Sequence, residues 1–357
     1  KQIKISDIRD SRLFGSLEYS IKLHNKMKVS IADIQKIRKM SGAGLSDCKK
    51  ALEESEGDFD KAMEIIRKKG QAIAAKRSDR ETSNGCVLVK AEDGFAAMIA
   101  LKCETDFVAN GADFIALTQE IINAAVANKC KTLEEVKNLQ LANGTAQECV
   151  INRSGITGEK MELDGYLFIE GENISVYDHM NKHILCTMVQ TNKPAEEQAH
   201  IVAMQVAAMK PVALDEASVP QDIKDTELKV SIEKTKEEQI QRAVNVALNK
   251  LGLSLGKDNY YASNEEHINE AVAKKMITEE EAALVRKTKE EVPATVQINE
   301  NMVTNIAQGR MKKFYKDSCL LNQEFIQDSK LTVSDYLKQA DKELTVIDFK
   351  RFSLVAD

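Results

Sequence analysis

Three side chains of the types that bind zinc, His179, His183 and Cys186, lie close together in the sequence. Imidazole nitrogens and thiolates are the ligands that Zn²⁺ prefers, and a closed structural site usually has four of them. Only three are present here, and they fall in a predicted β-hairpin, so an ordinary turn is the favoured interpretation. The sequence therefore predicts no metal site, and it offers no signature of another cofactor.

The stretch 155–160 contains two glycines and a lysine and so superficially resembles a phosphate-binding loop. It lacks the GxxxxGK[ST] spacing that lets backbone amides surround the phosphates of a nucleotide. No credible catalytic triad is present in the sequence either. These residues therefore predict a protein that is not an enzyme.

Asp106 and Phe107 lie between a predicted buried strand and a predicted helix, on a loop that rigid elements present. The residue types allow two interpretations, and both stay open from the residues alone. In the first, Phe107 is a core aromatic and Asp106 caps the following helix. In the second, the loop carries function, and Phe107 offers a partner apolar area of defined shape while Asp106 offers it a negative charge.

The elements before this loop begin with three short helices predicted over residues 28–70. Isoleucines at helical spacing follow a capping-box pair in the first helix. A glycine corner at 42–44 ends that helix, the second helix covers about 46–55, and Gly70 closes the third. A domain this small resembles the ubiquitin-associated three-helix fold.

Strands and helices then follow one another in an order that occurs twice. A hairpin, a loop at 104–111 and a helix over about 112–127 are followed by a similar unit that ends in a helix over about 195–209. This repetition predicts a duplicated α+β core with two subdomains. The predicted strands are 87–89 and 97–103 in the first unit, and 166–169, 174–177 and 184–189 in the second.

Residues 225–293 differ from the core, because they are highly charged and place apolar residues mostly at i+3 and i+4. A break at 252–259 separates two helical stretches, so the pattern predicts a helical hairpin that Pro293 closes. Beyond it we expect one helix that ends near 308–309 and a final strand over 346–354.

The predicted fold class is α+β. Residues 1–26 precede a clean pattern that starts at Met27, so we expect them to be dispensable for folding. The expected segments are an extension of unknown role at 1–26, a ubiquitin-associated-like three-helix domain at 27–80, a two-part α+β core at 81–224, a helical hairpin insertion at 225–293, and the remainder of the core with a C-terminal module at 294–357.

The composition restricts the classes of function. The chain has 357 residues, is 30% charged and carries a net charge of −6, which argues against a nucleic-acid binder. Lys312 and Lys313 are accordingly interpreted as a solvated face rather than an RNA site. Seven scattered cysteines without a CxxC predict reduced thiols, and no apolar run is long enough to span a membrane. We therefore expect a cytoplasmic protein.

Four segments carry a joint resemblance to a known family. They are SGAGLSDCKKAL at 41–52, TDFVA at 105–109, HIVAMQVAAMKP at 200–211 and GRMKKFY at 309–315. In order and spacing they resemble the bacterial translation elongation factor Ts family, and the resemblance covers nearly all of 28–357. It implies a guanine-nucleotide exchange factor that binds elongation factor Tu (EF-Tu) with GDP bound, displaces Mg²⁺ and promotes GDP release so that GTP can bind.

The resemblance also implies which residues contact the partner. In the family the loop at 105–108 enters the GTPase domain and displaces the Mg²⁺ that holds GDP. Ser46 stands where the family usually has a second bulky apolar residue, and Gln205 where it often has a histidine. Leu45 is either a core residue of the small domain or an exposed contact. The implied contacts are Thr105, Asp106, Phe107 and Val108, then Arg38, Leu45, Ser46 and Lys49 in the N-terminal domain, and Gln205 in the second subdomain.

The implied partner is EF-Tu in its GDP-bound and nucleotide-free states, with no nucleic acid, no membrane and self-association in the complex left open. Two other classes of function also stay open. A ubiquitin-associated-type adaptor would bind through residues 28–70 alone, and Asp106 and Phe107 would then be irrelevant. An RNA-binding translation accessory protein would show a steep salt dependence of RNA binding.

Overall fold

The computed structural model describes residues 29–253 and 255–355, without the side chains of Lys257 and Asp258. The predicted extension at 1–26 lies outside the described residues. The chain divides into two units, which are described separately below. Among the described residues, the first unit comprises those up to Ala207 together with the segment that begins at Ile347, and the second unit comprises those within Ala208–Val346. The α+β fold class is confirmed.

The first unit begins with three helices that enclose a small core. The Ser30 hydroxyl accepts a hydrogen bond from the Asp33 amide and starts the first helix, and Gly42, at φ 69°, ends it. The buried side chains of this core are Ile37, Ala43, Cys48, Ala51, Leu52 and Ala62. The helices are α1 (Ile31–Ser41), α2 (Leu45–Glu54) and α3 (Phe59–Lys76).

A three-stranded antiparallel sheet in the order β1-β2-β5 follows, with β2 at its centre. Its strands are β1 (Asn84–Glu92), β2 (Phe95–Cys103) and β5 (Met161–Glu170). The strand predicted at 166–169 therefore belongs to this first sheet and not to the second unit of the repeat. Apolar periodicity shows that a segment is a strand but does not identify its neighbour, which explains the error.

Between β2 and β5 the chain forms one long helix and several short elements. Phe114, Ile121 and Ile122 of the long helix are buried against the sheet together with Leu101 of β2. Of these elements, apolar spacing in the sequence predicted only the long helix. The elements are α4 (Asp106–Ala109), α5 (Ala112–Ala127), α6 (Leu133–Lys137), β3 (Gln140–Leu141), β4 (Gly144–Thr145) and α7 (Ala146–Thr157).

The predicted end of the third helix at Gly70 is wrong, because α3 continues to Lys76. Gly70 instead lies where α3 packs against α7. A Cβ atom added at Gly155 of α7 would lie only 2.3 Å from the Gly70 Cα. Two glycines therefore let the helices approach closely, and Gly70 serves packing and not termination.

The second sheet repeats the topology of the first. It has the order β10-β7-β6, so a hairpin is followed by a helix and a third strand then pairs with the second strand of the hairpin. Buried Met98 and Ile169 of the first sheet pack against Met188 of the second. The elements are β6 (Ile174–Asp178), β7 (Leu185–Thr191), α8 (Glu196–Met209) and β10 (Val346–Ser353).

The second unit is mainly helical. Its first helix packs against the third and fourth, and an apolar cluster that includes Leu248, Leu255 and Ile268 joins the first three helices. A short hairpin and a final helix follow. The elements are α9 (Gln221–Lys250), α10 (Glu265–Ala273), α11 (Glu279–Thr295), α12 (Glu300–Ser318), β8 (Glu324–Phe325), β9 (Asp328–Thr332) and α13 (Val333–Ala340).

Two predicted helix ends in this unit are wrong. Pro293 lies inside α11, which continues to Thr295, and Gly309 lies inside α12, which continues to Ser318. A glycine in a helix interior costs only about 1 kcal/mol. Burial of Val303, Ala307 and Met311 along one face of α12 offsets that amount and carries the helix through the glycine.

Candidate functional site

The segment after β2 presents an exposed phenylalanine. The four-residue helix α4 lies between the end of the central strand and the start of α5. Ala109, at its end, is 7% exposed and packs into the core of the first sheet, whereas Phe107 is 87% exposed. The interpretation of Phe107 as a core aromatic is therefore wrong. The large side chains of the core come instead from residues such as Phe95 and Phe114.

The cap of this short helix is Thr105 and not Asp106. The Thr105 hydroxyl accepts a hydrogen bond from the Val108 amide at 3.4 Å, so Asp106 occupies the first helical position. In the described part of the chain, the Asp106 carboxylate has no hydrogen-bond partner. It is exposed and lines a cleft of about 220 Å³ that Lys182 and His183 also line. Its charge is therefore available to a binding partner.

Hydrogen bonds fix the backbone of this segment at both ends. At the start, the Cys103 thiol donates to the Thr105 carbonyl at 3.2 Å. Burial raises the pKa of this thiol to about 12, so it stays a neutral donor. At the other end, the Asn110 side-chain amide donates to the Asp106 carbonyl at 2.8 Å. The turn is thus tied to its own flanking residues.

A second set of bonds ties the segment to the connection between α7 and β5. The Glu159 carboxylate accepts from the Thr105 amide at 3.1 Å and from the Thr105 hydroxyl at 2.7 Å. In return, the Glu104 carboxylate accepts from the Lys160 amide at 2.6 Å. We call these four residues, Glu104, Thr105, Glu159 and Lys160, the carboxylate clamp. The side chain of Glu159 thus binds the backbone of Thr105, and the side chain of Glu104 binds the backbone of Lys160.

Two arginines that follow α3 also bind Glu104. Arg77 donates to one carboxylate oxygen at 3.0 Å and Arg80 donates to the other at 2.9 Å. The bond from the Lys160 amide and these two guanidinium groups lower the pKa of Glu104 to about 2. Glu104 is therefore ionised at neutral pH and connects the helical domain to the segment that holds Phe107.

The candidate contacts of the N-terminal domain lie on α1 and α2. Arg38, Leu45, Ser46 and Lys49 are all exposed, and Leu45 is 52% exposed at the start of α2. The interpretation of Leu45 as a core residue is therefore wrong. Lys49 forms an exposed ion pair with Glu53 at 3.9 Å. Among the described residues, no hydrogen bond or ion pair joins this set to the segment at 105–108.

Gln205 does not lie on the surface. It is 0% exposed in α8, among buried neighbours such as Val202, Ala203 and Val206. Its burial does not support a direct contact with a partner. The role expected for Gln205 stays a prediction.

The zinc-like triplet is held by other interactions. His183 pairs with Asp178 through Nδ1, and the Cys186 thiol donates to the Val87 carbonyl at 3.3 Å. Burial raises the pKa of Cys186. Over the described residues, no group of three or more His, Cys, Asp or Glu side chains lies close enough to hold a metal ion.

The stretch 155–160 has a role that sequence reasoning missed. Gly155 packs against Gly70, and Gly158, at φ 73°, ends α7 and turns the chain toward Glu159. The glycines thus position the carboxylate clamp. A glycine C-cap was a readable signal for the helix end, but nothing in the sequence linked Glu159 to Thr105.

Among the described helices, none combines the length and the apolar character that a membrane span requires.

Comparison with known proteins identifies similar chains. The family described as Elongation factor TS matches residues 104–250 and 261–356. Elongation factor Ts of Phocaeicola vulgatus is 57% identical over 333 residues, which are 93% of this chain and 100% of the relative. Elongation factor Ts of Bacteroides fragilis is 57% identical over 334 residues with the same coverage. The protein of that name from Porphyromonas gingivalis is 45% identical over 333 residues, again 93% of this chain and 100% of the relative.

Proposed function

The chain belongs to the elongation factor Ts family, and we propose that it is the guanine-nucleotide exchange factor of EF-Tu in translation elongation. It binds EF-Tu with GDP bound, weakens the hold on the nucleotide and leaves a site that GTP can fill. The chain hydrolyses nothing itself. Its seven cysteines form no disulfide, which fits work in a reducing cytoplasm.

The exposed side chain of Phe107 is the observation that supports this proposal best. An aromatic ring that is 87% exposed gains nothing from folding and is available to a pocket on another protein. Aromatic anchors of this kind typically contribute about 2–4 kcal/mol to binding. We propose that Phe107 enters a pocket of the GTPase domain, with Thr105 and Val108 forming the backbone support on either side.

The charge of Asp106 supports the second step. A bound Mg²⁺ is the largest local charge in a nucleotide site, so displacing it weakens the binding of phosphate. A nucleotide held at nanomolar affinity is bound by about 12 kcal/mol. The factor does not need to match that whole amount, because about 3 kcal/mol of negative coupling already changes affinity more than a hundredfold. Reciprocity then requires that nucleotide binding weakens the hold of the factor.

The N-terminal domain provides a second contact in this proposal. Leu45 is an exposed apolar side chain, and Arg38, Ser46 and Lys49 on the same two helices expose polar or charged side chains. Such a combination suits an interface with an apolar centre and a polar rim. This contact holds the factor on EF-Tu while Phe107 acts on the nucleotide site.

The test is the release of fluorescent GDP from EF-Tu with and without the chain, in millimolar Mg²⁺. We expect the release rate to rise steeply with the concentration of the chain and to saturate. GTP hydrolysis by the chain alone is measured in parallel and should be absent. An unchanged GDP off-rate would overturn the proposal. If residues 28–76 alone bound EF-Tu as tightly as the full chain and released GDP as fast, an adaptor role would replace it.

A further inference from the structure

The position of Phe107 depends on bonds from outside its own helix. A helix of four residues is not stable alone, because the first turn of any helix is costly to nucleate. The ring is almost fully exposed, so packing does not orient it. The bond from the Val108 amide to the Thr105 hydroxyl is long, at 3.4 Å. The cap therefore needs a further partner to hold it in place.

Glu159 provides that partner from a distant part of the chain. Its two carboxylate oxygens accept from the amide and the hydroxyl of Thr105, so both donors of the cap point at one side chain. Hydrogen bonds to a charged acceptor are about twice as strong as neutral ones. The Ser154 hydroxyl donates to the Glu159 carbonyl and fixes Glu159 on the end of α7. The cap is thus attached to a rigid element of the core.

We propose that Glu159 is a positioning residue for nucleotide exchange, which orients the Asp106–Phe107 turn through its two hydrogen bonds to Thr105. Glu159 does not touch EF-Tu in this proposal. It keeps the turn in one orientation, so that Phe107 enters its pocket without first being ordered. This inference rests on the proposed function, because it assigns a role within that same exchange reaction.

Glu162 offers a matched control for Glu159. It also accepts a hydrogen bond from a threonine hydroxyl, that of Thr82, at 2.7 Å, and it also lies in the segment after α7. In the described structure it makes no hydrogen bond to residues 104–109. Its carboxylate also pairs with the side-chain ammonium of Lys160 at 2.7 Å, whereas the clamp uses the backbone amide of Lys160. Glu159→Ala and Glu162→Ala therefore each remove a carboxylate that holds a threonine, and only Glu159→Ala releases the turn.

The experiment measures GDP release from EF-Tu at increasing concentrations of each variant, with thermal unfolding followed on the same samples. For Glu159→Ala we expect the maximal release rate to fall about tenfold, since two charge-assisted bonds are lost. The concentration at half-saturation should rise by a smaller factor than the maximal rate falls, because the N-terminal contact is intact. A merely structural role would have the opposite signature, since a smaller folded fraction raises the half-saturation concentration and leaves the maximal rate unchanged.

The conservative variant and a double variant make the test decisive. In Glu159→Gln, the side-chain oxygen can accept from the Thr105 amide and the side-chain amide can donate to the Thr105 hydroxyl, so most of the rate should return. In a Phe107→Ala background, Glu159→Ala should reduce the rate clearly less than tenfold, because only Asp106 is then left for it to position. Glu162→Ala should release GDP like the wild-type chain.

Each outcome supports or overturns the inference. If Glu159→Ala matches the wild-type maximal rate, or if its effect multiplies fully with that of Phe107→Ala, Glu159 does not position the turn. An equal loss in Glu162→Ala also overturns the role. If the wild-type chain itself fails to accelerate GDP release, the proposed function fails and this inference falls with it.

Discussion

The two sheets of the first unit end their central strands in the same way and then differ. The last residue of β2, Cys103, donates from its side chain to the carbonyl two residues on, and the last residue of β7, Thr191, does the same. After β2 the chain forms the extra turn of α4 before its long helix begins. After β7 it passes through Pro194 almost directly into α8.

The two connections differ most in what they expose. The first presents Phe107 at 87% exposure, held by the carboxylate clamp. The second, 192–195, consists of Asn, Lys, Pro and Ala and has no large apolar side chain. The two repeats therefore share one topology, and of these two connections only the first presents an exposed large apolar side chain. Function in such a fold is carried by the connecting segments, whereas the repeated strands and helices provide rigidity.

The largest expected effect is a difference in the free energy of unfolding between alanine variants of two phenylalanines of the first repeat. Phe114→Ala removes a ring that is 2% exposed and should lower the free energy of unfolding by about 3–5 kcal/mol. Phe107→Ala removes an exposed ring and should change it by less than about 0.5 kcal/mol. Urea denaturation of both variants checks this. Comparable losses would show that Phe107 is packed in solution, and the contrast between core and anchor would fail.

In the second repeat, a change at Thr191, which corresponds to Cys103 of the first repeat, should affect only stability. Thr191→Val removes a buried hydroxyl that donates to the Lys193 carbonyl at 2.8 Å. The lost donor should lower the free energy of unfolding by about 2 kcal/mol. GDP release per folded molecule should equal that of the wild-type chain. A clear loss of exchange with stability retained would mean that the second connection also acts on EF-Tu.

A change at Asp106 should slow exchange and leave stability nearly unchanged, and its effect should be smaller than those above. Because Thr105 is the cap, Asp106→Ala should leave the thermal midpoint nearly unchanged. If the charge of Asp106 acts on the magnesium site as we propose, its loss should slow exchange about fivefold, at the lower end of typical coupling energies. Asp106→Asn, which keeps the shape, should slow it equally. Full activity of the Asn variant would show that shape and not charge matters.

The smallest effect concerns the stability of the first connection in acid. The folded pKa of Glu104, about 2, lies below its ordinary value of 4.5, so the unfolded chain binds more protons below pH 4.5. The stability that Glu104 contributes is therefore present above about pH 4.5 and is lost as the pH falls toward 2. Glu104→Gln should be less stable by at most about 1 kcal/mol at pH 7. The difference from wild type should shrink steadily in acid, and a constant difference would argue against the ion pairs.

Local patterns predicted many elements of the fold. The helices α1, α2, α5 and α8 and the hairpin of β1 and β2 follow from capping residues and apolar spacing, and their observed bounds lie close to those expected. The last strand, β10, was also predicted near its observed place. These features depend on neighbours in the sequence, which is why they could be predicted.

Features that depend on distant contacts could not be predicted in this way. Gly309 lies inside a helix because a buried face continues past it, and β5 pairs with β2 across a long intervening segment. The features of the site divide in the same way, into those that a local pattern predicts and those that depend on distant contacts. Phe107 could be proposed as a contact because the segment 105–109 resembles that of a known family, but the bonds from Glu159 join residues 54 positions apart. No local pattern records such a contact.

The most direct test of the central claim compares GDP release from EF-Tu in the presence of saturating wild-type chain and saturating Phe107→Ala. If the exposed ring is the anchor of the exchange reaction, the variant should lose about 2–4 kcal/mol of coupling, a reduction of about 30-fold to 1000-fold in the release rate. Its unfolding curve should match that of the wild-type chain. A Phe107→Ala variant that is folded and releases GDP as fast as the wild-type chain would contradict the account.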